Sequence, residues 1–309
     1  MTGVVDIRFR PYIELLRPPL APMDLAMPGA AALLAAYSSF GELPRLFPFL
    51  LATVGAYSAI TSSYVYNDFC DVDVDRIAMP NRPLPSSEVT KRGALAYCLL
   101  LFLFATAVAL YLNPESFVVL IAATLVITAY SMWAKRKTPF SWVLVGVAFG
   151  LVPFGVWLAI SPLGILKAGP GAHAGGIILG LMICITDWGF TNCDASRDTL
   201  GDREKGIPTL PATYGIPVTS KLVALCWGFG VLLSLALGAA TGLGPVYMVV
   251  ALISGGWMIF QALDFVRNPT SRRGDQLFYQ GANYRAALFS FLILDVLLRA
   301  TLDYPGVFS

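Results

Sequence analysis

The sequence predicts an all-α membrane protein with nine transmembrane helices and a cytoplasmic N-terminus, and three observations carry that prediction. Of the 309 residues, 57% are hydrophobic and only 13% are charged, about half the charged share of a soluble domain. Nine stretches stay apolar over about 20 residues, the length at which a helix satisfies every backbone amide within hydrocarbon. The basic residues also segregate. With the N-terminus inside, all but Arg45, Lys167 and Arg299 of the 21 Lys and Arg residues fall in segments on one side, as the cytoplasmic excess of positive charge requires. A helix count wrong by one would scramble this division.

The opening segment carries Asp6, Arg8, Arg10, Glu14 and Arg17. It is amphipathic and lacks the short apolar core and small-residue cleavage site of a signal peptide. Spans are expected near residues 20–39, 47–66, 93–112, 116–134, 140–161, 173–193, 219–240, 243–265 and 283–303. Outer connections are short, but two inner segments, 67–92 and 194–218, run to about 25 residues, a length that usually signals function. They follow the second and sixth spans, which suggests two similar four-helix units plus a ninth helix, all within one domain over residues 1–309. The five cysteines, Cys70, Cys98, Cys184, Cys193 and Cys226, are scattered without a CxxC pair and read as reduced apolar fillers. A net charge of +2 and the lack of a basic, aromatic-laced surface exclude nucleic acid as a partner.

Chemistry concentrates in the two long inner segments. The first opens N-D-F-C-D-V-D-V-D, giving Asn67, Asp68, Asp71, Asp73 and Asp75. If the helix continues, Asn67, Asp71 and Asp75 fall within about 80° of one another, with Asp68 just beyond. The second segment repeats the four-residue spacing with Asp194, Asp198 and Asp202. Such stripes repel themselves unless cations bind. Magnesium, which takes one or two carboxylates plus phosphate oxygens, suits two facing stripes around a diphosphate, and each stripe sits at the negative end of a helix dipole. Arg76, Arg82, Arg203, Lys205, Lys135, Arg136 and Lys137 lie on the same membrane face, where basic groups could neutralise a departing diphosphate. A calcium-binding EF-hand is excluded, because the first cluster lacks the central Gly and closing Glu. A cation channel would need acids on both sides of the midplane, whereas these crowd one side.

These residues resemble a known family. Asn67 to Asp75 is similar to the NDxxDxxxD motif of UbiA-type intramembrane prenyltransferases, and N-R-P-L-P-S at 81–86 to the segment that follows it. D-T-L-G-D-R-E-K-G-I-P-T-L-P at 198–211 resembles the family's second motif with its tail, and Y-S-M-W-A-K-R-K-T at 130–138 resembles its Tyr-Ser segment. The resemblance implies a ring of helices around a central cavity, capped by the two motif loops and dependent on Mg2+. It implies that Asn67, Asp68, Asp71, Asp75, Asp198 and Asp202 hold the metal-diphosphate unit. Asp194, one turn before the second motif, joins them by its stripe position. Asp71, Asp194 and Asp198 are the candidate catalytic acids. Asn67, Arg82, Tyr130, Lys135, Arg136, Arg203 and Lys205 are candidate diphosphate contacts.

Asp187 lies in the sixth span on nearly the face of Asp194, about 10 Å deeper, and intramembrane acids are functional suspects; it is a candidate acceptor-binding or proton-accepting group. For Asp24 and Asp295 structural pairing is expected instead. His173 is the one histidine and starts the sixth span on the outer side, so histidine catalysis is not expected. That counts against heme-farnesylating relatives, whose first motif also lacks an Asp at position 68. The expected activity is transfer of a prenyl group from an isoprenyl diphosphate to a lipophilic acceptor: a quinone precursor or other aromatic, a prenylated glycerol phosphate, or a chlorophyllide-like ring. Alternatives are an intramembrane terpene cyclase and a prenyl-phosphate sugar transferase. The expected setting is a lipid membrane with the site open to the cytoplasm, and the sequence leaves the oligomeric state open.

Overall fold

The structure, a computed structural model, describes residues 6–161 and 174–302; Lys167 and His173 lie outside them. In chain order the helices are α1 (Asp6–Leu15), α2 (Ala21–Phe40), α3 (Leu46–Cys70), α4 (Val72–Ala78), α5 (Lys91–Leu112), α6 (Pro114–Met132) and α7 (Trp142–Ile160). After residue 173 come α8 (Ala174–Arg197), α9 (Thr199–Glu204), α10 (Leu210–Tyr214), α11 (Ile216–Thr241), α12 (Pro245–Arg267) and α13 (Ser271–Leu302). No strand occurs among the described residues.

Among the described residues eight helices, α2, α3, α5, α6, α7, α8, α11 and α12, are long and apolar enough to cross a membrane. They coincide with the first eight expected spans. The ninth expected span, 283–303, overlaps α13 up to its end at Leu302, its last residue lying outside the described ones; α13 starts at Ser271 and is not among the apolar eight. Arg285, Asp295 and Arg299 interrupt its apolar pattern. Arg285 and Asp295 are buried against neighbouring helices, at 4% and 0% exposure.

Long helices pack on their neighbours in sequence, and α13 closes back on α2. The helix contacts thus run in a closed circuit from α2 to α13. The run Ala30–Ala36 on α2 is buried, and its small side chains let the surrounding helices approach closely. A tight crossing fixes α8 against α7: a Cβ at Gly146 would stand 2.3 Å from Trp188 Cδ1, and one at Gly150 2.7 Å from the Gly180 carbonyl oxygen. Asp295 accepts hydrogen bonds from the Gly244 and Tyr247 amides at 2.6 and 3.1 Å. It therefore caps the start of α12, the structural pairing expected of it.

Candidate active site

Both acidic stripes sit where a membrane helix breaks and resumes. α3 ends at Cys70, Asp71 leaves helical geometry at φ −102° and ψ 9°, and α4 begins at the next residue. α8 ends at Arg197, Asp198 takes φ −91° and ψ 7°, and α9 follows. The four-residue bonding survives each break: the Asp75 amide donates to Asp71 O at 2.8 Å, and the Asp202 amide to Asp198 O at 3.0 Å. The stripes thus stay continuous while the chain bends, and α4 and α9 pack on each other. Two stretches more than a hundred residues apart share one mouth.

Basic side chains answer the acids one by one. Asp68 Oδ1 accepts from Arg17 at 2.9 Å and Arg82 at 3.4 Å, and Arg82 also donates to Asp75 at 2.8 Å. Lys135 donates to Asp71 Oδ2 at 2.6 Å. Arg197 pairs with Asp194 at 2.7 Å and Asp198 at 2.9 Å and reaches Asp275 at 3.5 Å. Arg17, Asp68, Arg82, Asp194 and Arg197 line one polar pocket of about 240 Å³, with Leu20, Phe278 and Tyr279 among its apolar walls. Burial works against the Arg17 charge, but Asp68 and Asp194 outweigh it and raise its pKa. Asp202 accepts from Thr209 at 2.7 Å. Burial pushes the Asp202 carboxyl up to about 6, with Asp198 and Asp71 acting in the same direction and Lys135 against it. Burial likewise raises Asp75 although Arg82 opposes it. Asp73 stands apart: its side chain is 57% exposed, and the Arg136 fork holds its carboxyl down at about 2.

Among the described residues, no three His, Cys, Asp or Glu side chains gather closely enough to hold a metal by themselves. Two buried polar atoms in the first motif are nonetheless unspent. Among the described residues Asp71 Oδ1 and Asn67 Nδ2 have no hydrogen-bond partner, and Arg136 stands 3.9 Å from Asp71 Oδ1. A free carboxylate oxygen amid a few others fits magnesium, which borrows most of its oxygens from substrate and water.

Of the expected site residues, Asn67, Asp68, Asp71, Asp75, Arg82, Lys135, Asp194, Asp198 and Asp202 gather at this mouth, with half-buried Tyr130 in electrostatic reach of Lys135, Asp71, Asp194 and Asp202. Arg136 sits at its edge. Arg203 and Lys205 do not join them: both are exposed, and Arg203 donates to the Ala212 and Pro211 carbonyls at 3.1 and 3.4 Å, stapling its own loop. Asp187 lies deeper, 3.2 Å from Arg285. Sequence reasoning counted Arg17, Arg197 and Arg285 only as positive-inside residues. For Arg285 a signal existed, since it interrupts an apolar run as Asp187 does.

Beside the mouth lies an apolar cavity of about 310 Å³ between α3, α5, α6 and α7. It runs from Tyr66, next to Asn67, down to Ala52, about 21 Å at 1.5 Å per residue. Alanines and glycines form much of its wall, and half-exposed Leu99 stands at its edge.

Residues 25–291 match the profile of the UbiA prenyltransferase family. The chain belongs to this family. Among curated relatives, the digeranylgeranylglyceryl phosphate synthase of Thermococcus sibiricus is 26% identical, over 91% of this chain and 96% of that protein. The protoheme IX farnesyltransferase of Korarchaeum cryptofilum is 27% identical, over 82% and 85%. A UbiA homolog from Aeropyrum pernix, solved in its apo form, superposes with a TM-score of 0.70 at 20% identity, covering 90% of this chain and 96% of that one. A UbiA homolog from Archaeoglobus fulgidus, solved with GPP and Mg2+, gives 0.62 at 19% identity over 93% and 99%. The family's helical fold and membrane setting agree with the eight apolar helices here.

Proposed function

We propose that this chain transfers a prenyl group from an isoprenyl diphosphate, with Mg2+, to a lipophilic acceptor inside the membrane. The observation that carries the reading is a charged mouth built from both acidic breaks beside an apolar cavity whose lining starts one residue from Asn67. A diphosphate ester with an oily tail has those two halves. The relatives' names point the same way, since they are prenyl-transferring synthases, and the Archaeoglobus fulgidus homolog was solved with GPP and Mg2+.

Asn67, Asp68, Asp71, Asp75, Asp194, Asp198 and Asp202 are the groups that would hold magnesium and diphosphate. When bound, the metal supplies charge neutralisation for the leaving diphosphate. Lys135, Arg82 and Arg17 supply positive charge fixed in place, which costs no reorganisation as charge develops. Phe149 puts an aromatic ring in the wall of the tail cavity, which suits an allylic cation. The apolar wall excludes water that would quench it. The tail passes from lipid to cavity with little hydrophobic gain, because lipid is equally apolar, so the cavity selects by shape. With the positive-inside division, the mouth opens to the cytoplasm, and the whole chain acts as one unit.

Purified protein with Mg2+ and geranylgeranyl diphosphate should release diphosphate only when a lipophilic acceptor is present. Asp71→Ala should abolish this. Full activity in that variant overturns the site, and release without acceptor, with a hydrocarbon product, points to a cyclase.

A further inference from the structure

Below the polar pocket, four helices each present a polar side chain one or two turns deeper than a pocket-lining residue. Asp24 follows Leu20 by four residues, Tyr64 precedes Asp68 by four, Asp187 precedes Asp194 by seven, and Arg285 follows Phe278 by seven. At 1.5 Å per residue the step is about 6 to 10 Å. All four are buried, Asp24 at 2%, Asp187 at 3% and Arg285 at 4% exposure. Charges at such depth in a membrane protein mark function more often than stability.

The group is connected but not saturated. Tyr64 Oη donates to Asp24 Oδ2 at 3.0 Å, and Arg285 Nη2 donates to Thr186 Oγ1 at 2.7 Å. Arg285 Nη1 lies 3.2 Å from Asp187 Oδ2, yet that oxygen lacks an aligned hydrogen bond, as does Arg285 Nε. Asp24 has no ion pair among the described residues, and its one hydrogen bond there comes from a neutral phenol. A fold seeking only stability fills such a place with apolar side chains, because a half-satisfied buried network is worse than none. Arg17 links the group to the mouth: it bonds Asp68 and lies 4.7 Å from the Tyr64 ring centroid. Tyr64 also stacks on Phe149, which lines the tail cavity. Asp24 is thus linked through the Tyr64 and Phe149 rings to the wall of the tail cavity.

Charge sets the kind of ligand. Asp187 at 3.2 Å and Asp24 within electrostatic reach outnumber the Arg285 guanidinium, so a carboxylate or phosphate is repelled, while an uncharged hydroxyl can donate to a carboxylate and accept from the unpartnered Arg285 Nε. We propose that Asp24, Tyr64, Asp187 and Arg285 form the acceptor subsite, that it takes a neutral hydroxyl-bearing head, and that Asp24 receives the proton the acceptor loses. The proposal rests on the prenyl-transfer reading. As the acceptor's nucleophilic atom bonds to C1 of the prenyl group, the C1–O bond breaks, its electron pair leaves with diphosphate, and the acceptor's proton passes to the Asp24 carboxylate.

Radiolabelled 4-octylphenol binding to the full chain in lipid nanodiscs, with empty discs subtracted, tests this. Saturable binding is expected, displaced by octyl glycerol ether but not by 4-octylbenzoate, and weakened at least tenfold in Asp24→Leu and Arg285→Met. Magnesium-dependent binding of geranylgeranyl diphosphate should persist in both variants, which also certifies their folding. With that donor present, Asp24→Asn should lower prenylation of the phenol at least tenfold with KM within twofold. Absent binding, displacement by the benzoate, indifference to Asp24→Leu, or a bound phenol never prenylated by the unaltered chain each overturns the subsite. Failure of the unaltered chain to bind the diphosphate sinks the prenyl-transfer reading instead.

Discussion

Lys135 offers a test of the mouth that needs no knowledge of the acceptor. Its ammonium donates to Asp71 Oδ2 at 2.6 Å, and the two side chains are 18% and 3% exposed. The other Asp71 oxygen already lacks a hydrogen bond, so Lys135→Met leaves a buried carboxylate with Arg136 at 3.9 Å as its nearest base. Removing one partner of a buried pair costs about 3–5 kcal/mol, much of it the stranded charge. At about 2 °C per kcal/mol for a chain of this size, the melting temperature should fall by roughly 6–10 °C in EDTA. Asp71→Asn on top of Lys135→Met should restore most of that loss, because no charge is then stranded. Magnesium offers the stranded carboxylate a new partner, so the gap between Lys135→Met and the unaltered protein should shrink to less than half when MgCl2 replaces EDTA. Thermal unfolding in detergent, followed by intrinsic fluorescence, reads the unaltered protein, both single variants and the double variant in EDTA and in MgCl2. If the losses of Lys135→Met and Asp71→Asn simply add, or if magnesium leaves the gap unchanged, the pair does not hold the mouth as argued.

Other expectations are simpler. Asp295→Ala leaves the Gly244 and Tyr247 amides without their buried acceptor; at about 1–3 kcal/mol per orphaned group, melting should fall by several degrees while Mg2+-dependent diphosphate binding survives. Ala59→Phe pushes a ring into the apolar cavity, and overpacking of about 1–3 kcal/mol should cut kcat/KM for geranylgeranyl diphosphate severalfold or more while sparing dimethylallyl diphosphate. Asp73→Asn breaks only an exposed pair with Arg136, so diphosphate release should stay within about twofold, since such pairs contribute about 0–1 kcal/mol. Gly230→Val drives a side chain into Thr186, whose Cγ2 would lie 2.1 Å from a Cβ there, and should shift acceptor KM more than donor KM.

Apolar length and the Lys/Arg division made the spans legible, because in hydrocarbon the backbone dictates the element. The four-residue spacing of each acidic stripe was legible too, and it survives the breaks at Asp71 and Asp198. What the spacing could not encode is which way a side chain turns after a break. Arg203 sits next to Asp202 in sequence, yet it turns out to the Pro211 and Ala212 carbonyls. Conversely, Arg17 reaches Asp68 across 51 positions, a pairing made by ring closure rather than by any local pattern. The true start of α13 was hidden for the same reason. Its charges are shielded by partners on α2, α8 and α12 that a one-dimensional hydropathy reading cannot see.

The interleaving of acids and bases at the mouth bears on how donor and metal enter. At an effective dielectric constant of 20, two unit charges 4 Å apart interact by about 4 kcal/mol. Diphosphate alone would meet Asp68, Asp71 and Asp194, and magnesium alone would meet Arg17, Arg82 and Lys135, so each pays repulsion on one side. Together they are nearly neutral, each offering the pocket the charge that the other lacks, and every ion pair now closed within the protein can be exchanged for one with the ligand. A mouth built this way favours the magnesium diphosphate as a unit over either ion alone. It also keeps both breaks compact before binding, since the acids proposed to meet the metal are meanwhile held by neighbouring guanidinium and ammonium groups.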